Sequence, residues 1–215
     1  KGKILVSKIP SLLKGVSELK EILDQEEKIE GYLKLGTLNS LLSHVFQKPL
    51  QQMRKKYPLI TPQIKLGNSD QIITLLEKKE IDFGIMIDDK IKRSLNKKII
   101  KQGYFVAIMP KNKNIENLDF IVTRQKKYEV KEFKKLLYKK FKIKCEVRQE
   151  ILSWEAIKTM VQCGYGWGLV PDYLVDSSVL VIKEYPKIPY DLVCISSLGE
   201  ILNKKNEAFL ELAAF

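Results

Sequence analysis

Apolar residues recur along this chain with two different periods. Between 31 and 89, short apolar runs at 32–35, 63–66 and 83–87 alternate with two segments of helical period. In the first segment Leu42, Val45, Phe46, Leu50 and Met53 fall at i, i+3, i+4 spacing; in the second, Ile72, Ile73, Leu75 and Leu76 form the apolar side. Strand, helix, strand, helix, strand is the form of two right-handed crossover units on a parallel sheet. Pro49 lies inside the first helical pattern and predicts a bend or a fresh start there. Thr37, Asn39 and Ser40 follow the first strand, and Gly67, Asn68, Ser69 and Asp70 follow the second. These helix-capping types sit where an open α/β sheet binds ligands, beyond the carboxyl ends of its strands.

Ahead of this lies a different pattern. Leu5, Ile9, Leu12, Val16, Leu19 and Leu23 are spaced 4, 3, 4, 3, 4, an a/d heptad seam with charged residues at other positions. A helix with that repeat packs on another chain more naturally than on its own domain, and Pro10 should kink or split it.

Beyond 89 the same alternation resumes. Residues 90–98 read as a polar loop or short helix, 99–109 as a strand, 110–114 as a turn and 120–123 as a strand. Val130, Phe133, Leu137 and Phe141 form one side of an amphipathic helix with lysines on the other. Residues 144–149 alternate as a strand, and Ser153 can cap a helix whose core face continues through Met160 and Val161. Gly164, Gly166 and Gly168 follow a helix and precede a strand, the reverse of a dinucleotide loop, and read as a helix-terminal turn tolerating positive φ. Strands are expected at 169–171, 179–182 and 191–196, and a closing helix at 204–215 with Phe209, Leu210 and Leu212 inward.

Two stretches carry a family resemblance. The first joins a glycine-led strand at Gly31, a helix closing on Tyr57-Pro58, the Gly67-Asn68-Ser69 turn and the phrase Glu80-Ile81-Asp82-Phe83-Gly84. The second is SWEAIKTMVQCGYGWGLVP, 153–171, a helix, a glycine-rich turn and a strand ending in proline. Both resemble the effector-binding domain of LysR-type transcriptional regulators. The resemblance implies an α/β fold of two Rossmann-like lobes joined by two crossover strands, like the type 2 periplasmic binding proteins. It divides the chain into a linker and dimerisation helix at 1–30, lobe I at 31–104 and again at 192–215, and lobe II at 105–191. It also implies ligand contacts at Thr37, Asn39, Ser40, Ser69, Ile87, Thr123 and Arg124. The partners implied are a small-molecule effector, and DNA through a winged helix-turn-helix that would precede Lys1. The seam would support a homodimer or homotetramer. Such a regulator works in the cytoplasm without a membrane or cofactor. The alternative reading is a solute-binding protein of a transporter.

Composition narrows the chemistry. No apolar run of this 215-residue chain approaches the ~20 residues a spanning helix needs, and residues 1–30 lack the apolar centre of a secretory signal. Cys145, Cys163 and Cys194 have neither metal-ligand nor redox-motif spacing and read as buried or half-buried free thiols in a reducing compartment. His44 is the single histidine and has no ligand-spaced neighbours, so no metal site is expected. Asp88-Asp89 read as a turn rather than an acid–base pair, and without a nucleophile–base pair the chain is not expected to be an enzyme.

The net charge of +12 is uneven: residues 90–149 hold 19 Lys plus Arg against five Asp plus Glu. A Lys-rich solvated surface accounts for this; the alternative is a basic face for nucleic acid or an anionic ligand. Lys outnumbers Arg, and no helix-turn-helix or finger pattern occurs in the chain.

Overall fold

The computed structural model describes Gly15 and residues 29–88, 95–111, 113, 115, 118–199 and 202–213. The seam at Leu5, Ile9, Leu12, Val16, Leu19 and Leu23, together with Pro10 and Asp89, lies outside them.

β1 (Gly31–Thr37) lies parallel between β2 (Ile60–Leu66) and β3 (Phe83–Ile87), so both expected crossover units form. The first crossover is two helices, α1 (Asn39–His44) and α2 (Gln47–Lys56). The break falls at Val45 and Phe46, just before Pro49 rather than on it. Proline is tolerated in a first turn, where its missing N–H is not needed, so α2 starts just ahead of it. α3 (Ser69–Glu77) opens with a capping box: Gln71 N–H donates to Asn68 Oδ1 at 3.0 Å, and Asn68 N–H donates to Gln71 Oε1 at 2.8 Å.

β4 (Asn96–Met109) is longer than its apolar run. It takes in Lys97 and Lys98, read from sequence as loop, because backbone pairing with β9 (Ile188–Ser196) extends from Phe105 back to Asn96. β5 (Asp119–Val122), α4 (Tyr128–Phe141), β6 (Val147–Glu150), α5 (Trp154–Gln162) and β7 (Gly166–Pro171) follow. β6 is shorter than its alternation suggested, since Lys142 ends α4 at φ +61° and residues 142–146 are irregular. A 3-10 turn (Asp172–Leu174), β8 (Leu180–Val181) and the terminal helix α6 (Lys204–Ala213) complete the chain.

The sheet order is β2-β1-β3-β9-β4-β7-β5-β6, with β8 on β4. The group β2-β1-β3 recurs as β6-β5-β7, each parallel and each meeting an antiparallel crossing strand beside its third member. The sequence shows no such repeat. The two groups are the two lobes of an α/β fold of the type 2 periplasmic-binding-protein kind. β4 passes from one lobe to the other: up to Phe105 it pairs with β9, and from Phe105 to Ile108 with β7. β9 makes the return crossing and pairs with β3.

Each lobe is filled by aromatic side chains. Phe46 and Phe83 meet Phe209 of α6 in lobe I, so the C-terminal helix belongs to the first core. In lobe II, Phe120 stacks on Trp167 at 4.2 Å, with Phe133 and Tyr185 around them. Burying each such ring stabilises by roughly 1.5–3 kcal/mol.

Of the three glycines at 164–168, only Gly164 has positive φ (+79°). Gly166 and Gly168 are strand residues, required because β7 lies close to its neighbours: a Cβ at Gly168 would come within 2.5 Å of Ile157 Cγ2. Cys163 is exposed, against expectation, because it caps the C-terminus of α5 where the chain turns outward; Cys145 is half-buried and Cys194 buried. No helix among the described residues is long and apolar enough to cross a membrane.

Candidate functional site

The crossover topology brings helix amino ends from both lobes to one place. A cavity of about 420 Å³ lies between them. Lobe I contributes the start of α1 with Asn39 and Ser40, and the start of α3 with Asn68, Ser69 and Gln71. Lobe II contributes Thr123, Arg124 and Lys127 after β5, and the start of α5 with Ser153, Trp154 and Glu155. Peptide dipoles and unpaired N–H groups make such ends favourable for negative charge. A neighbouring cavity of about 350 Å³ shares Ser69, Lys127 and Trp154, and is lined also by Ile87, Phe105 and Tyr190.

The expected ligand contacts are therefore distributed. Asn39, Ser40, Ser69, Thr123 and Arg124 line the first cavity, and Ile87 lines the second. Thr37 lines neither: it is fully buried, and its hydroxyl donates to the Ile85 carbonyl at 2.9 Å across the β1–β3 pair. Its role is to tie the two strands. Nor do Asn39 and Ser40 cap α1 by side chain; the N-cap is Leu38, with no side-chain bond.

Their side chains reach across the cleft instead. Asn39 Nδ2 donates to Glu155 Oε1 at 3.1 Å, and Ser40 Oγ is hydrogen-bonded to the Tyr173 hydroxyl at 2.8 Å. Glu155 is held in turn by Ser153, whose hydroxyl donates to Glu155 Oε2 at 2.9 Å and accepts from Ala156 N–H. Thr123 differs from these. Its Oγ1 is buried and has no hydrogen-bond partner among the described residues, and a polar atom in that position costs free energy until something pairs with it.

Behind the cleft, Asp172 holds the crossing strands. Its Oδ2 accepts from Tyr104 N–H of β4 at 3.0 Å and its Oδ1 from the Tyr190 hydroxyl of β9 at 2.8 Å. Burial, and then the hydrogen bond to Asp172, push the Tyr190 phenol well above its ordinary value; burial does the same for Tyr173. Both rings keep their protons at any physiological pH. Phe105 lies between Tyr190 and Trp154, with centroids 5.1 and 5.6 Å away.

Sequence reasoning missed Glu155, Trp154, Tyr173 and Asp172 as cleft residues. The Asn68-x-x-Gln71 spacing was a visible capping-box signal; nothing local marks Tyr173, which is 133 residues from its partner Ser40. His44 is exposed in the last turn of α1, and Asp88 pairs with Lys97 at 2.7 Å. Among the described residues, no group of three or more His, Cys, Asp or Glu is placed to hold a metal ion.

A two-lobed sheet with a cleft at the carboxyl ends of its strands defines a ligand-binding domain of the periplasmic-binding-protein type. The model of the LysR substrate binding domain matches residues 26–214, and the chain belongs to that family. It is similar to the HTH-type transcriptional regulator YoaU of Bacillus subtilis (strain 168), 21% identical over 212 residues that cover 93% of this chain and 72% of that protein. Among solved structures it superposes on the cofactor-binding domain of the Cbl transcriptional regulator, with a TM-score of 0.74, 17% identity and coverage of 86% of this chain and 88% of that one. The regulatory domain of CcmR from Synechocystis PCC6803, in complex with 2-PG, gives a TM-score of 0.68 at 20% identity, covering 86% and 96%. The chain is thus an effector-binding regulatory domain of the LysR type.

Proposed function

We propose that this domain senses a small anionic metabolite in the interlobe cleft and passes the resulting change of lobe angle to a DNA-binding domain. The observation that carries the reading is Thr123 Oγ1, buried without a hydrogen-bond partner among the described residues, on a cavity that Arg124 and several helix amino ends also line. A carboxylate or similar anion would accept hydrogen bonds from the Thr123 hydroxyl and from N–H groups at those helix starts, and would be drawn by the positive charge of Arg124. Asn39, Ser40 and Ser69 would contact it from lobe I, and Ile87 would limit its polar end. Thr37 would act only through the strand it fixes.

In this reading lobe I comprises 31–104 and 192–215, and lobe II 105–191. The helix of 1–30 would pair with a second copy through its heptad seam and lead to a winged helix-turn-helix that reads the promoter in the cytoplasm. The neighbour CcmR, solved with 2-PG, supports a small ligand as the signal. Calorimetry with pooled metabolites tests the site. A ligand whose binding falls on Thr123→Ala and on Ser40→Ala is the expected result, and unchanged binding in both variants would remove the assignment.

A further inference from the structure

Much of the basic excess of this chain falls in one stretch, α4 and its flanks. Between 124 and 144 there are ten Lys and Arg against two carboxylates, Glu129 and Glu132. Glu129 is buried beneath α4, with Val130, Phe133 and Leu137. That leaves Glu132, half-buried, as the one carboxylate of this stretch toward solvent, and its weak pairing with Lys135 at 3.4 Å spans a single helical turn.

On the opposite side of α4, Lys131, Lys135 and Lys139 are all exposed and follow one another at i, i+4, i+8. That spacing sets a cation about every 6 Å along a straight row roughly 12 Å long. Neither Lys131 nor Lys139 is in an ion pair with a described residue. At its amino end the row opens into a hollow of about 380 Å³ lined by Arg124, Lys126, Lys127, Tyr128 and Lys131. At the other end Lys142 is exposed and lies over the Tyr138 ring at 5.7 Å. Solvation alone calls for no such order: a soluble surface mixes both signs of charge, whereas a rigid single-sign row attracts a polyanion.

We propose that the outer face of α4 is a docking surface for the phosphate backbone of duplex DNA. Each DNA strand carries a charge about every 3.4 Å of helix axis, so the row spans three or four phosphates. Lysine supplies point charges without the planar fork that reads base edges, so the contact would be independent of sequence. It would hold DNA that is already tethered near lobe II, and it does not require the effector reading above.

The experiment is fluorescence anisotropy of the 215-residue chain with a labelled random-sequence duplex, titrated over a range of salt. Binding at low salt should weaken with a log–log slope of about −3, from roughly 0.9 per phosphate neutralised. The triple variant K131E/K135E/K139E should bind on the order of tenfold more weakly or worse, with most of that slope gone. The triple variant with glutamine at the same sites should move the same way, which removes introduced repulsion as the cause. K48E/K55E/K78E makes the same net-charge change on lobe I and should bind like the parent. The proposal is overturned by no binding at low salt, by equal losses in the two glutamate variants, or by undiminished binding in K131E/K135E/K139E. Binding to phosphatidylserine vesicles with no binding to duplex would assign the face to membranes and overturn it as well.

Discussion

Ser40 Oγ and the Tyr173 hydroxyl are 2.8 Å apart, one on the first helix of lobe I and the other on the 3-10 turn of lobe II. Ser40 is almost wholly buried and Tyr173 half-buried, so the Ser40 hydroxyl in particular has little access to water once Tyr173 is removed. Together with Asn39–Glu155 this contact joins the lobes across the cleft mouth. Any ligand that needs Ser40 must compete with Tyr173 for it, and opening of the cleft is coupled to loss of the bond.

Ser40→Ala and Tyr173→Phe should each cost about 1–3 kcal/mol, since each removes the hydrogen-bond partner of a hydroxyl, with Tyr173→Phe the costlier because it strands the buried Ser40. The double variant should cost less than the sum, because it removes both polar groups together. Urea melts of the four proteins measure this. Additive losses would mean that the two hydroxyls do not depend on each other.

Gly166 lies where β7 passes β5, and a Cβ there would land on the Asp119 carbonyl oxygen and on the Ile121 side chain. Backbone cannot move aside as a side-chain end can, so Gly166→Ala should destabilise by about 1–3 kcal/mol. Gly84→Ala faces the Ile72 and Ile195 side chains, which can shift, and should cost less. Denaturant midpoints rank the two, and the reverse order would contradict this packing.

These glycines also mark what the sequence could and could not reveal. Parallel crossover units were legible because apolar period and capping residues repeat locally, as at Ile72, Ile73 and Leu76 after Asn68. The role of Gly166 and Gly168 was not legible, since it arises from strands and a helix that approach them from elsewhere in the chain. The same holds for the cleft. Ser40, Ser69 and Thr123 stand at strand ends and could be picked out by position, whereas Glu155 and Tyr173 meet their partners only once the lobes are placed. Thr37 stood at the right place in the sequence, but strand alternation turned its side chain into the sheet.

Lys158 is nearly buried and binds Asp176 at 2.5 Å, while Asp176 itself is largely exposed. The Lys158 hydrogen bond, with those from Ser178, holds the Asp176 carboxyl well below the usual carboxylate range. A depressed pKa gives stability that is present above the unfolded value of about 3.9 and is lost as pH falls below it. Solvent screening of the exposed partner keeps the effect small. Asp176→Asn should therefore flatten the acid end of the stability profile. It should also destabilise the protein at neutral pH by leaving Lys158 without a counter-charge, and Lys158→Met, which replaces the buried charge with apolar bulk, should be milder. Urea melts at a series of acidic pH values test this; an unchanged acid limb in Asp176→Asn would show that the pair carries no linkage.

The three thiols should separate by burial. Desolvation pushes both Cys145 and Cys194 up to about 12, with Lys134 and Lys98 opposing it weakly, whereas Cys163 is exposed at the end of α5. Because the thiolate is the nucleophile, a disulfide reagent at mildly alkaline pH should modify Cys163 alone in the folded protein and all three after denaturation. The raised values also fix the sign of the alkaline response. An unfolded thiol ionises near a pH of about 8.5 and the folded ones do not, so each contributes stability that is complete below that pH and declines as pH rises toward the folded value. Cys194→Ala should accordingly reduce the alkaline slope of stability. Fast modification of Cys194 in the folded chain, or an identical slope in its variant, would place that thiol in contact with water and contradict its burial between β3 and β4.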